Sequence, residues 1–215
     1  MKKPRVLMAD DHSLILAGLR KLVEAECDVV GAVEDGRALV EAAQKLRPDL
    51  ILLDISMPLL NGLDAVRQLR KLVPESKVIF LTMHASPTYA TEAFQAGASG
   101  YLLKRSAASE LGLAIKSVLQ GQHYLTPALT KDVLESVLKP STGEAVKAAC
   151  ATLTDRQREV LQLVAEGHGT KEIATILNVS VKTVEFHKSR VMQQLDLHTT
   201  ADLTKYAITH GITGL

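Results

Sequence analysis

Four things are scarce in this chain of 215 residues, and each scarcity excludes something. Cysteine occurs twice, at Cys27 and Cys150, far apart and in no metal-ligand spacing. Both read as reduced thiols without special chemistry. Long apolar runs are missing, and those present are far too short to span a bilayer. The N-terminus opens on basic residues, but Asp10 and Asp11 interrupt what would have to be a signal-peptide core. A cytoplasmic protein with no membrane partner is therefore expected. An excess of either charge is missing too. Basic and acidic residues number 15 and 14 in 1–125, 3 and 3 in 126–149, and 7 and 7 in 150–215. That balance excludes a bulk electrostatic grip on nucleic acid, so any DNA binding must rest on local placement of charge, helped by dimerisation. Finally, no glycine-rich loop follows the first apolar run. Asp10-Asp11-His12 stands there and would repel a phosphate, which argues against a flavin or nucleotide enzyme.

What is present centres on Leu50-Ile51-Leu52-Leu53-Asp54-Ile55-Ser56-Met57-Pro58. Four aliphatic residues running into a carboxylate suit a strand buried on both faces of a parallel sheet. Pro58 stops further pairing and Asn61-Gly62 reads as loop. Asp54 is thus delivered to the carboxyl end of its strand, where ligands bind in open α/β sheets.

Around this stretch, strand and helix alternate five times. Strands are expected at Arg5–Ala9, Val29–Val33, Leu50–Asp54, Lys77–Thr82 and Gly100–Lys104. The first helix is read with Leu14, Ile15, Gly18, Leu19, Leu22 and Val23 on one face. The second is capped near Asp35, with Leu39, Val40, Ala43 and Leu46 inward; the third carries Leu63, Val66, Leu69 and Leu72. Ser86-Pro87 starts the fourth, and Ser106 opens the fifth. The pattern predicts a doubly wound, five-stranded parallel α/β sheet over residues 1–125. Residues 126–151 read as a linker with a short helix bearing Val133, Leu134, Val137 and Leu138. Lys139-Pro140-Ser141-Thr142-Gly143 has linker chemistry. Residues 152–215 read as a small all-α domain of four helices, opened by a Thr154–Gln157 capping box.

Strand ends bring Asp10, Asp11 and Asp54 into one neighbourhood. Clustered carboxylates repel and need a cation, and hard oxygen ligands suit Mg²⁺. Lys104 follows the fifth strand and Thr82 ends the fourth with a hydroxyl. Nucleophilic carboxylate, metal, lysine and hydroxyl are the parts that carry charge on a transferring phosphoryl group. Singly each signal is weak, since a lone Asp after a strand is more often a cap and a lone Lys a solvated surface residue. Their placement at successive strand ends is far more specific.

In the C-terminal part, residues 167–180 with a short turn fit a helix-turn-helix whose reading helix is Val181–Leu195. Val184, Val191 and Leu195 seat that helix. Lys182, Glu185, Phe186, Ser189 and Arg190 are left for solvent or DNA, with His187 and Lys188 nearby. Glu185, Phe186 and Ser189 are the expected base readers and Lys182, Lys188 and Arg190 the phosphate contacts. Thr183, with Thr170 and Lys171 at the start of the preceding helix, completes the candidate DNA set. Spacing alone leaves an ordinary three-helix bundle with solvated charges equally open.

These residues carry a resemblance. Ala9-Asp10-Asp11-His12, Leu53-Asp54-Ile55-Ser56-Met57-Pro58, Asn61-Gly62, Leu81-Thr82-Met83 and Gly100-Tyr101-Leu102-Leu103-Lys104 resemble the flavodoxin-like receiver domain of bacterial two-component response regulators. Met83 departs from many receivers, where a small residue is common. Leu153–Leu161, Lys171-Glu172-Ile173-Ala174 and Val181–His187 resemble the LuxR-type DNA-binding domain, and the order matches the NarL/FixJ subfamily. The resemblance implies that Asp54 takes a phosphoryl group from a sensor histidine kinase. It implies Mg²⁺ held by Asp11, Asp54 and the Ser56 carbonyl, with Asp10 assisting, and movement of Thr82 and Tyr101 on phosphorylation. It further implies a homodimer on double-stranded DNA with an inverted-repeat operator, dimerising through the last helix, 200–210. No enzyme is expected beyond assistance to its own aspartyl phosphorylation and dephosphorylation. The competing reading is a receiver used as a phosphorelay or docking module, with a helical tail that binds protein.

Overall fold

The computed structural model describes residues 3–138 and 153–213, and of Val137 the backbone alone. The expected linker stretch 139–143 and Cys150 lie outside the described residues. The chain divides into two compact units, the first carrying the sheet and the second the C-terminal helices.

In the first unit the strands are β1 (Arg5–Ala9), β2 (Asp28–Val33), β3 (Leu50–Leu53), β4 (Lys77–Thr82), β5 (Gly100–Leu103) and β6 (Tyr124–Leu125). They form a parallel sheet in the order β2-β1-β3-β4-β5-β6. Helices α1 (Ser13–Val23), α2 (Gly36–Leu46), α3 (Gly62–Leu72), α4 (Pro87–Ala96) and α5 (Ala107–Leu119) alternate with the strands, and α6 (Pro127–Leu138) follows β6. All four β3 residues are at most 1% exposed, so each contributes about 1.5–3 kcal/mol of burial. Alternation along the strands separates two core layers. Val6, Met8, Leu50, Leu52, Ile79, Leu81 and Leu102 pack with α1 and α5. Leu7, Ile51, Leu53, Val78 and Phe80 are buried at the alternate positions.

Local sequence sets the boundaries. Asp35 caps α2 by accepting from the Ala38 N–H at 2.7 Å. Ser86 caps α4, and Gly97, at φ 107°, ends it in a left-handed conformation that costs a glycine nothing.

Three expectations need correction. The core face of α1 is Leu16, Leu19 and Val23, with Ile15 packed against it; Leu14 and Leu22 are 84% and 46% exposed. Leu14, Gly18 and Leu22 form an i, i+4, i+8 stripe of their own, and a helix with apolar residues on two faces gives no unique inward face. In α6 the buried residue is Leu129, while Leu134 and Leu138 face outward. Beyond the five expected strands, β6 pairs with β5. Its two residues are too few to carry any periodicity. Thr126, just past β6, is fully buried. Its N–H donates to the Tyr101 carbonyl at 3.0 Å, and its Oγ1 accepts from the Leu103 N–H at 3.1 Å. Helix α6 then packs against α4.

The second unit holds α7 (Asp155–Ala165), α8 (Thr170–Ile176), α9 (Val181–Leu195) and α10 (Thr200–Thr209). Thr154 and Gln157 form the expected capping box. The Glu172 carboxylate accepts from the Gly169 N–H, Ser180 caps α9, and Thr199 with Asp202 caps α10. Val160, Leu161, Leu163, Val164, Ile173, Val184, Val191, Leu203 and Ala207 make one core. Among the described residues no helix is long and apolar enough to cross a membrane.

Gly62 governs the loop after β3. Its N–H donates to the Ile55 carbonyl at 2.7 Å. A Cβ there would overlap the Asp54 carbonyl oxygen and lie 3.0 Å from Ile55 Cα, both backbone atoms that cannot swing aside. Gly62→Ala should therefore cost about 1–3 kcal/mol, read as a lower urea midpoint. An unchanged midpoint would show that the loop relaxes freely and does not fix Asp54.

Candidate functional site

Parallel pairing places the acidic residues. Ala9 is in register with Leu53, so the next residue of each strand, Asp10 and Asp54, emerge side by side. The Asp54 N–H donates to the Ala9 carbonyl at 3.0 Å and extends that ladder by one bond. On the other side of β4, Thr82 is in register with Leu103, which brings Lys104 to the same end of the sheet.

Lys104 joins the two carboxylates. Its Nζ lies 2.7 Å from Asp10 Oδ2 and 2.6 Å from Asp54 Oδ2. All three side chains are at most 8% exposed. Burial works to lower the Lys104 pKa. The hydrogen bonds and charges of Asp10 and Asp54 outweigh it, and the ammonium is held above the ordinary lysine range. Asp54 Oδ1 accepts from the Ile55 N–H at 2.6 Å. Asp10 Oδ1 accepts from the His12 N–H at 3.0 Å. Asp11 is more open. Its carboxylate meets His12 Nδ1 at 2.7 Å, and the same nitrogen is 3.3 Å from Asp10.

Two buried carboxylates thus share one ammonium, with the more open Asp11 carboxylate beside Asp10, which leaves an excess of negative charge. Asp10, Asp11 and His12 offer ligand atoms within 4.8 Å of one another. The donors are chiefly hard oxygens and Asp11 is water-accessible, so the set fits a small hydrated divalent cation.

The remaining predicted residues converge on a residue the sequence reading passed over, His84. Its ring Nε2 is 2.9 Å from Ser56 Oγ. Its N–H donates to Thr82 Oγ1 at 3.3 Å, and its carbonyl accepts from the Tyr101 hydroxyl at 2.7 Å. The ring stacks on Tyr89 of α4, with centroids 4.5 Å apart. Thr82 and Tyr101 are fully buried. Burial, then the Asp54 charge and Tyr89, push the Tyr101 phenol well above its ordinary pKa, so it stays protonated as the donor. Position two past Thr82 was the available signal: a loop polar residue that close to a site strand end reaches the site. Met83 is 70% exposed and points away from the buried set.

In the second unit the candidate DNA residues separate into two groups. Lys171, Lys182, Glu185, Phe186, Ser189 and Arg190 are exposed. Thr183 and Lys188 are half-buried and have structural partners. Thr183 Oγ1 is 2.8 Å from Ser180 Oγ, and Lys188 Nζ donates to Thr200 Oγ1 at 3.0 Å. Thr170 is the first residue of α8 and is half-buried.

Comparison with known proteins finds a match for each of the two units. Residues 6–116 match the family model of the response regulator receiver domain, and residues 151–207 match that of bacterial regulatory proteins of the luxR family. The chain is 34% identical over 209 residues to the response regulator UvrY of Escherichia coli K12, covering 96% of this chain and 94% of that one. It is 36% identical over 213 residues to the oxygen regulatory protein NreC of Staphylococcus epidermidis, covering 95% and 96%. Among solved structures, the RcsB response regulator of Salmonella typhimurium aligns over 97% of this chain and all of its own, with 28% identity and a TM-score of 0.59. A structure of the RcsB–DNA complex aligns over 95% and 98%, also at 28% identity and 0.59. With both domains matched in order and nearly the whole length covered, the chain belongs to the NarL/FixJ subfamily of two-component response regulators.

Proposed function

We propose that this chain is a cytoplasmic, phosphorylation-activated transcriptional regulator that accepts a phosphoryl group on Asp54 from a sensor histidine kinase and binds double-stranded DNA through α9. The observation that carries the first half is the Lys104 ammonium shared between the buried Asp10 and Asp54 carboxylates. A carboxylate oxygen of Asp54 attacks phosphorus as the bond to the donor histidine nitrogen breaks. Mg²⁺ held by Asp11, Asp54 and the Ser56 carbonyl, with Asp10 assisting, would neutralise charge on the transferring oxygens. Lys104, bonded to Asp54 Oδ2, already holds a positive charge at that carboxylate. The Thr82 hydroxyl, engaged by the His84 N–H, is the next donor at that end of the sheet.

The second half is supported by the exposed basic and polar face of α9 and by the fold shared with a DNA-bound RcsB. Dimerisation supplies the affinity a neutral module lacks. Two-fold symmetry then calls for an inverted-repeat operator, with half-sites spaced to suit the dimer. Phosphorylation couples the two halves through a free-energy change of about 1–3 kcal/mol, typical of such switches.

Incubation with a small phosphodonor and Mg²⁺ should add one acid-stable, base-labile phosphoryl group per chain, and Asp54→Asn should abolish it. Equal labelling of that variant would place the acceptor elsewhere. In the same assay Asp11→Ala should raise the Mg²⁺ concentration needed for half-maximal labelling.

Lys104→Ala leaves two buried carboxylates adjacent without their shared cation. It should lose about 3 kcal/mol of stability in the absence of metal, and Mg²⁺ should restore part of it. A thermal midpoint that matches wild type without metal would mean the ion pair is not what balances the site.

The Ser56–His84 bond ties the β3–α3 loop to the β4–α4 loop. Ser56→Ala and His84→Ala should each destabilise the fold, and the double variant should be non-additive by about 0.5–1.5 kcal/mol. Strict additivity would remove the contact from the energetics.

A further inference from the structure

Among the described residues of the second unit, Phe186 is the most exposed large apolar side chain. The chain has three phenylalanines. Phe80 is fully buried and Phe94 half-buried, while Phe186 is 57% exposed in the middle of a charged helix face. The core of this unit takes Val184 and Val191 from the same helix and does not include Phe186. Its neighbours in the outward row are Lys182, Glu185, Ser189 and Arg190, all exposed.

The ring is nevertheless oriented. Arg190, one helical turn on, holds its guanidinium carbon 5.6 Å from the ring centroid. A cation over an aromatic face attracts the ring quadrupole. His187 meets the ring edge-on, with centroids 5.5 Å apart and an interplanar angle of 71°. Two neighbours on its own helix thereby hold the ring, while more than half of the residue stays exposed.

A phenyl ring has neither donor nor acceptor, so it cannot read hydrogen-bonding edges. The major groove offers it one apolar group, the C5 methyl of thymine. Cytosine presents no methyl at that position. The flanking cations Lys182 and Arg190 are of the sign that a phosphate-lined groove requires. We infer that Phe186 determines specificity by packing on a thymine methyl in each half-site, with Arg190 as the positioning residue that sets the ring. The inference rests on the proposed binding of duplex DNA by α9 and adds the chemical group that is read.

The test uses the full-length phosphorylated protein. A binding selection from random duplexes first yields the preferred motif. Each invariant thymine is then replaced in turn by deoxyuridine, which removes the methyl and nothing else. Wild type should lose roughly four-fold or more in affinity at one position per half-site, the weight of one buried methyl. Phe186→Ala should bind thymine and uracil duplexes alike, and Phe186→Leu should recover part of the preference. Arg190→Ala should reduce the thymine-to-uracil ratio, a readout that simple loss of a phosphate contact would leave unchanged. A motif without an invariant thymine overturns the inference. So does a wild type indifferent to every replacement, or a Phe186→Ala variant with the full preference. In all three cases DNA recognition itself stands. Failure to select any motif overturns both, and points to a tail that binds protein.

Discussion

One ammonium between two buried carboxylates is the constraint on which the first unit depends. Asp10 and Asp54 emerge from adjacent strands in register, so the sheet itself forces two like charges together. Two unit charges 4 Å apart in a partly buried setting repel by about 4 kcal/mol. Backbone hydrogen bonds from His12 and Ile55 each stabilise one carboxylate, but they do not remove the repulsion. Lys104 does, by contacting both at once. Yet one positive charge against Asp10, Asp11 and Asp54 leaves the site short of cation. Pairing register sets Asp10 and Asp54 side by side, and the uncompensated negative charge with its hard oxygens fits a small divalent cation.

The same site is mechanically connected to two helices. His84 contacts Ser56 through its ring, Thr82 through its N–H and Tyr101 through its carbonyl, and it stacks on Tyr89 of α4. Any rearrangement that takes the Thr82 hydroxyl away from its present partner changes one of four contacts on a single residue. Tyr101 has a second connection. Its own carbonyl accepts from Thr126, and the next amide but one, Leu103, donates back to the Thr126 hydroxyl. Thr126 directly precedes α6, which packs on α4. The strand bearing Tyr101 is therefore bonded, through Thr126, to the start of α6.

How much of this could be read in the sequence depended on whether a feature was local. The buried run ending at Asp54, the Asp35 and Ser86 caps, the Thr154 capping box and the bounds of α9 each follow from a few neighbouring residues, and all were legible. Two helix faces were not. In α1 the stripe of Leu14, Gly18 and Leu22 competes with that of Leu16, Leu19 and Val23, and the choice is made by what the sheet presents. In α6 the inward residue is fixed by Thr126 anchoring the helix start, a contact with a strand more than twenty residues away. Strand β6 has two residues, too few for any period, and exists because β5 offers an open edge. His84 carries no motif of its own. It matters because four partners from separate segments meet there.

The second unit shows why a charge count over a domain says little about its faces. Residues 150–215 hold equal numbers of basic and acidic residues. Several of the carboxylates serve the fold. Glu172 and Asp202 cap helices, Asp155 pairs with Arg158, and Glu159 pairs with Arg156. Hydrogen bonds hold Asp202 below the usual carboxylate range, as expected of an acceptor fixed at a helix start. Arg156 and Arg158 are used in the same way, each also bonding a backbone carbonyl. Removing these internal partners leaves Lys182 and Arg190 beside Glu185 on the outward face of α9. That face is weakly positive, with a fixed aromatic ring at its centre. A surface of this kind gains little from counterion release. What distinguishes it is the chemistry of its few outward groups, and there Glu185 and Phe186 stand among the two cations.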